Sequence, residues 1–146
     1  MGKGFGYIKS VRGVRQGDPL SPVMFIISRE SLSHNLHRGM EERRILPYHT
    51  KYSNGSISHL MFYDVVLIFL NGMRSSILYL MGIMETYGCL SGHRINARES
   101  SVFISDKCSR RRARDILNIL GIQRKKFPII YLGEHISNVR DKKDLF

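Results

Sequence analysis

Residues 60–70 read LMFYDVVLIFL, the most apolar stretch of the chain, and one carboxylate, Asp64, interrupts it. A bilayer span needs about 20 apolar residues, so this stretch is too short to cross a membrane and has to be buried against protein. Its β-branched and aromatic side chains favour extended backbone. An ionised carboxylate inside a strand buried on both faces would lose its hydration, whereas at a turn it reaches water and can accept hydrogen bonds from its own backbone. The run and residues 57–59 ahead of it are therefore predicted to fold as a hairpin over residues 57–69, with its turn at Tyr63-Asp64, its second strand over residues 65–69 and its end at Asn71-Gly72.

A lone hairpin is marginal in water and needs a second layer. Three stretches with helical periodicity supply one. Ser21-Pro22 reads as a helix start, with Ser21 as N-cap and Pro22 in the first helical position; Phe25, Leu32 and Leu36 follow on one face until Arg38-Gly39. This helix is expected to carry the hairpin. Ser75 or Ser76 caps a second helix whose stripe is Ile77, Leu80, Met81, Met84 and Tyr87, closed by Ser91-Gly92. Ser109 caps a third, with Ala113, Ile116, Leu117 and Leu120 inward and Gly121 as its stop. Short strands are predicted near Tyr7-Ile8, within the polar stretch 41–54, at 101–105 and, last, at 129–132; residues 138–146 read as a frayed, charged end. Helices interleaved with hairpins give an α+β class, an antiparallel sheet with helices on one face.

With 42% hydrophobic residues in 146, the chain has material for a core, and its composition is not that of a disordered tail. Its net charge is +11 and its pI about 10.1, which favours a polyanionic partner, nucleic acid before an anionic membrane surface. Residues 1–105 hold 12 Lys+Arg against 7 Asp+Glu, a net of +5; residues 106–146 hold 11 against 5, a net of +6, so basic density is highest in the last part. Arg110, Arg111, Arg112 and Arg114 open the third helix, where cations oppose the helix dipole unless phosphate offsets them. They are assigned to nucleic-acid contact, with a solvated charge run as the alternative. Cys89 and Cys108 match no zinc spacing, and two free thiols suit the nucleus or cytoplasm rather than secretion. His34 and His37 could share a helix face, but no third ligand is near in sequence and they read as surface residues.

Residues 6–22, GYIKSVRGVRQGDPLSP, go further. They closely resemble the RGLRQGDPLSP segment of LINE-type (non-LTR) retrotransposon reverse transcriptases, those of plants especially. Residues 58–69, SHLMFYDVVLIF, resemble that family's THLLFADDLLIF strand–turn–strand; residues 91–100, SGHRINARES, resemble its SGLKINxxKS; Phe103 sits where the family has the next strand; and residues 127–133, FPIIYLG, resemble its LPxxYLG primer grip. The resemblance runs from about residue 6 to 137. It implies the C-terminal half of a polymerase palm over residues 1–105 and a thumb-proximal segment over 106–146, with an RNA template, a DNA primer and Mg²⁺ as the parent's partners.

In-line phosphoryl transfer by such enzymes uses two metal ions roughly 3.5–4 Å apart, and hard Mg²⁺ takes carboxylate oxygens. The family uses three aspartates, one upstream and two adjacent at the hairpin turn. Asp64 matches the first of the adjacent pair, Val65 replaces the second, Tyr63 replaces a small alanine, and no residue matches the upstream one. Arg94 keeps the charge of a family lysine, while Glu99 reverses another. By the same resemblance Arg15, Gln16 and Gly17 would contact template and nucleotide, and Tyr131, Leu132 and Gly133 would form the primer grip. A plain turn and helix cap would also account for Arg15, Gln16 and Gly17, and a backbone-capping turn residue would account for Asp64. The expectation is a degenerate, inactive polymerase segment that binds no Mg²⁺ productively and contacts nucleic acid without sequence preference. A purely basic nucleic-acid-binding module and a functionless pseudogene product are the alternatives.

Overall fold

The computed structural model describes residues 17–48 and 57–136. The strand predicted at Tyr7-Ile8, Arg15 and Gln16, which the resemblance assigns to template contact, and the fray predicted over 138–146 lie outside the described residues. Within them the order is α1 (Ser21–Glu41), β1 (His59–Phe62), β2 (Val65–Ile68), α2 (Arg74–Ser91), β3 (Ser101–Phe103), α3 (Arg110–Leu120), β4 (Gln123–Lys125), β5 (Ile129–Tyr131) and β6 (Glu134–Ile136). The class is α+β. Among the described residues no helix is long and apolar enough to cross a membrane.

The hairpin forms where the interrupted apolar run places it. β1 and β2 pair antiparallel from His59 with Ile68 to Phe62 with Val65, leaving Tyr63 and Asp64 as a two-residue turn. It lies on α1 as expected: Met61, Val66 and Ile68 pack against a core built from Leu32 and Leu36 of α1, Ile45, and Leu80 and Tyr87 of α2. A second core joins α2 to α3 through Ile77, Ile104, Ala113 and Ile116. Ile77 and Leu80 are one turn apart on α2 yet serve different cores, so α2 is the element both share.

The strands differ from a single antiparallel sheet. They form three two-stranded ribbons, and β3 pairs with β4 in parallel. The chain passes through α3 between those two strands, and a crossover helix of this kind returns the chain parallel. β4 and β6 (paired with β5) were not expected from the sequence, and 129–132 is not the last strand. Gln123-Arg124-Lys125 is exposed throughout, so it carries no apolar signal. No strand forms within residues 42–48, the described part of the polar stretch.

Two helix starts also differ. α1 begins at Ser21 itself, one position earlier than a Ser21 N-cap requires. Asp18 organises this end: its Oδ1 accepts from the Leu20 N–H at 2.9 Å, and its carbonyl accepts from the Ser21 N–H at 3.0 Å. α2 starts at Arg74 with no side-chain cap from Ser75 or Ser76. Asn71 Oδ1 accepts from the Met73 N–H at 3.0 Å instead, and Ser76, fully buried, accepts from the Leu46 N–H at 3.1 Å. The α3 cap is as expected, with Ser109 Oγ accepting from the Arg112 N–H at 3.3 Å. Gly92 and Gly121 end α2 and α3 at φ of 76° and 63°, left-handed geometry that glycine adopts without a Cβ clash.

Candidate functional site

Asp64 stands exposed at the β1–β2 turn, beside Val65. The turn is held to α1 from below. Arg29 Nη2 donates to the Val65 carbonyl at 3.2 Å, and its guanidinium lies 5.8 Å from the centre of the Phe25 ring. The Tyr63 ring, 78% exposed, sits 6.5 Å from Phe25. His93 approaches Phe25 edge-on at 5.9 Å and stacks on Tyr87 at 5.8 Å. The segments that carry Asp64 and Arg94 therefore meet around Phe25, near the start of α1. Gly17 lies just ahead of that start at φ 85°, exposed, and among the described residues, its chain neighbours aside, no atom stands within 4 Å of where a Cβ would be.

The donor set at this turn is one carboxylate. Val65 offers no ligand atom, and the described residues contain no group of three or more His, Cys, Asp or Glu that could hold a metal ion. The residues present do not fit the two-metal centre that the resemblance implies. His34 and His37 are no exception, since His37 turns to His59, their rings 5.1 Å apart and edge-on. His59 is held between Ser33 Oγ (3.0 Å from Nε2) and Ser58 Oγ (2.7 Å from Nδ1). Burial, then His37, then Arg29 push its pKa below the usual histidine range.

Tyr131, Leu132 and Gly133 close the β5–β6 ribbon, with Leu132 and Gly133 as its turn at φ of 55° and 86°. Among the described residues no hydrogen bond, ion pair or ring contact joins this ribbon to the β1–β2 hairpin. Tyr131, Leu132 and Gly133, which the resemblance assigns to a primer grip, thus form no single bonded constellation with Asp64.

The basic residues divide. Arg110, Arg111, Arg112 and Arg114 are all exposed on the first turns of α3. Arg111 and Arg112 line a groove of about 420 Å³ between α2 and α3, together with Arg74. Arg110 and Arg114 do not line it. Arg74 is the residue that sequence reasoning missed. Its signal was the same as that of the α3 arginines, a cation in the first turn of a helix, but it was hidden by placing the α2 start at Ser75 or Ser76.

No family model matches the chain. A stretch of 59 residues, 40% of the chain, is 41% identical to an uncharacterized mitochondrial protein of Arabidopsis thaliana. The match spans about half of that protein's length, 48%.

Proposed function

We propose that this chain is a retroelement-derived segment of a reverse-transcriptase palm that has lost its two-metal centre and keeps a sequence-independent affinity for nucleic acid. The observation that carries this reading is the hairpin turn. Asp64 stands at a two-residue turn between the strands paired from His59–Ile68 to Phe62–Val65, the register in which the family holds its adjacent aspartates, and Val65 takes the second place. The similarity to a plant mitochondrial protein is in keeping with a plant-genome origin. Mg²⁺, where the parent enzymes hold it, would stabilise the attacking and leaving oxygens. One exposed carboxylate beside a valine does not build that site, so no phosphoryl-transfer step is assigned to this chain.

Affinity is the property that remains. A net charge of +11, with exposed arginines along α3, attracts a phosphate backbone by releasing its condensed counterions. Titration of the full chain with single-stranded RNA and with duplex DNA is expected to give non-specific dissociation constants of roughly 10⁻⁴–10⁻⁶ M at physiological salt, weakening steeply as salt rises. Primer extension on an RNA template with Mg²⁺ or Mn²⁺ is expected to give no product for wild type, Asp64→Ala or Val65→Asp. Positioning supplies most of phosphoryl-transfer catalysis, and one carboxylate restored beside Asp64 does not by itself supply it. Extension by wild type that disappears in Asp64→Ala would overturn the inactive assignment, and extension by Val65→Asp alone would leave Val65 as the only lesion. Binding that is absent at low salt, or indifferent to salt, would remove the nucleic-acid reading.

A further inference from the structure

Three arginines from two helices line the groove between α2 and α3, Arg74 from the start of α2 and Arg111 and Arg112 from the start of α3. All three are exposed. Ile77 and Ile116 contribute apolar surface to the lining, and Asp115 is its one carboxylate. Arg38 pairs with Glu42, Arg124 with Asp106, Arg29 donates to the Val65 carbonyl and Arg44 lies over Tyr79, whereas Arg43, Arg94, Arg98, Arg110 and Arg114 have no such side-chain partner among the described residues. Among the described residues Arg74, Arg111 and Arg112 form no ion pair or side-chain hydrogen bond. Three like charges lining one groove repel one another, and an anion in the groove would offset that repulsion.

We propose that Arg74, Arg111 and Arg112 form a phosphate clamp that holds the sugar–phosphate backbone of a nucleic-acid strand across the α2–α3 junction. The inference rests on the nucleic-acid reading above and deepens it by naming where the strand is held. Guanidinium suits the ligand because its planar fork of N–H donors matches phosphate oxygens two at a time. The neighbouring exposed Arg110 and Arg114 extend the positive field beyond the groove, which fits an extended polyanion better than a single small one. The lining beyond the arginines is mainly aliphatic, so it offers little with which to read base edges, and contact is with backbone alone.

The test compares charge removal inside and beside the groove in the full chain. Arg74→Ala and Arg112→Ala are each expected to weaken binding of a 20-nucleotide RNA several-fold and to lower the slope of log affinity against log salt by about 1. Arg110→Ala and Arg114→Ala, which remove the same charge outside the groove, are expected to weaken binding less and to lower that slope by clearly less than 1. Combining Arg74→Ala with Arg112→Ala should cost less than the sum of the two losses, because both grip one phosphate. Circular dichroism checks that each variant folds, and Arg74→Lys, which keeps the charge and loses the fork, should recover only part of the affinity. Equal losses at all four positions would overturn the clamp and leave diffuse electrostatic binding intact. No binding by wild type would instead remove the underlying reading. Displacement of RNA by inorganic phosphate beyond what chloride achieves at matched ionic strength would assign the groove to a small phosphate and end the strand proposal.

Discussion

Tyr63 takes the first position of the β1–β2 turn at a φ of 48°, while Asp64 beside it keeps a negative φ. Left-handed backbone costs an ordinary L-residue about 1–2 kcal/mol, and an aromatic ring gains little there when it is mostly exposed. Tyr63→Gly is expected to raise stability by about 0.5–1 kcal/mol, read as a higher urea midpoint; a lower midpoint would mean that the Phe25 contact outweighs the backbone. Two glycines of α2 make a sharper pair. Among the described residues a Cβ at Gly82 meets nothing within 4 Å, whereas one at Gly88 would stand 2.8 Å from the His93 carbonyl oxygen. Gly82→Ala should therefore stabilise by up to about 1 kcal/mol through helix propensity. At Gly88 the same gain is opposed by a backbone clash of about 1–3 kcal/mol, so Gly88→Ala should destabilise and loosen the His93–Arg94 loop. Thermal melts of the two variants moving in the same direction would refute this.

At the scale of elements, the hairpin is docked on α1 by apolar packing, by the Arg29 bond to the Val65 carbonyl and by a half-buried polar contact, His59 between Ser33 and Ser58. Both serine hydroxyls can donate or accept, so protonating His59 does not by itself break these bonds. The penalty comes from burying the cation and from His37 and Arg29 facing it. A histidine whose folded pKa is depressed contributes stability that is fully present above its unfolded value of about 6.5 and is lost as pH falls through the folded value. Urea midpoints should accordingly fall between pH 7.5 and pH 5.5. His59→Gln should flatten that part of the profile; an unchanged slope would place the acid sensitivity elsewhere.

At the scale of the whole molecule, two small cores depend on one helix. Leu80 belongs to the core under the hairpin, and Ile77, one turn away, belongs to the core with Ile116 of α3. Leu80→Ala and Ile116→Ala should each cost about 2–5 kcal/mol, a large share of the roughly 5–15 kcal/mol that holds a domain folded. Because α2 carries both cores, either truncation should weaken the whole fold in one transition, with tyrosine fluorescence and far-UV circular dichroism coinciding. Two separate transitions would show that the cores are independent. The first half of α1 stands apart from both, since Val23, Met24, Ile26 and Ile27 are exposed.

The hairpin and its turn, the three helices, and the Gly92 and Gly121 stops were legible in the amino-acid sequence, because each rests on local chemistry. An apolar run broken by one carboxylate has few ways to stay extended and keep that charge wet, and a glycine after a helical stripe ends it cheaply. By the resemblance alone, without coordinates, Val65 stands in the place of a metal ligand, and its loss there remains a proposal. What the chain order does not contain is which distant residues share a surface. Gln123–Lys125 becomes a strand only because α3 returns the chain alongside Ser101–Phe103, a pairing invisible in three exposed polar residues. Ser76 becomes a buried partner of Leu46 rather than a cap because the segment after α1 folds over α2. Arg74 gains its significance in the same way: its charge was always in the sequence, but the packing of Ile77 against Ile116 is what sets it across a groove from Arg111 and Arg112.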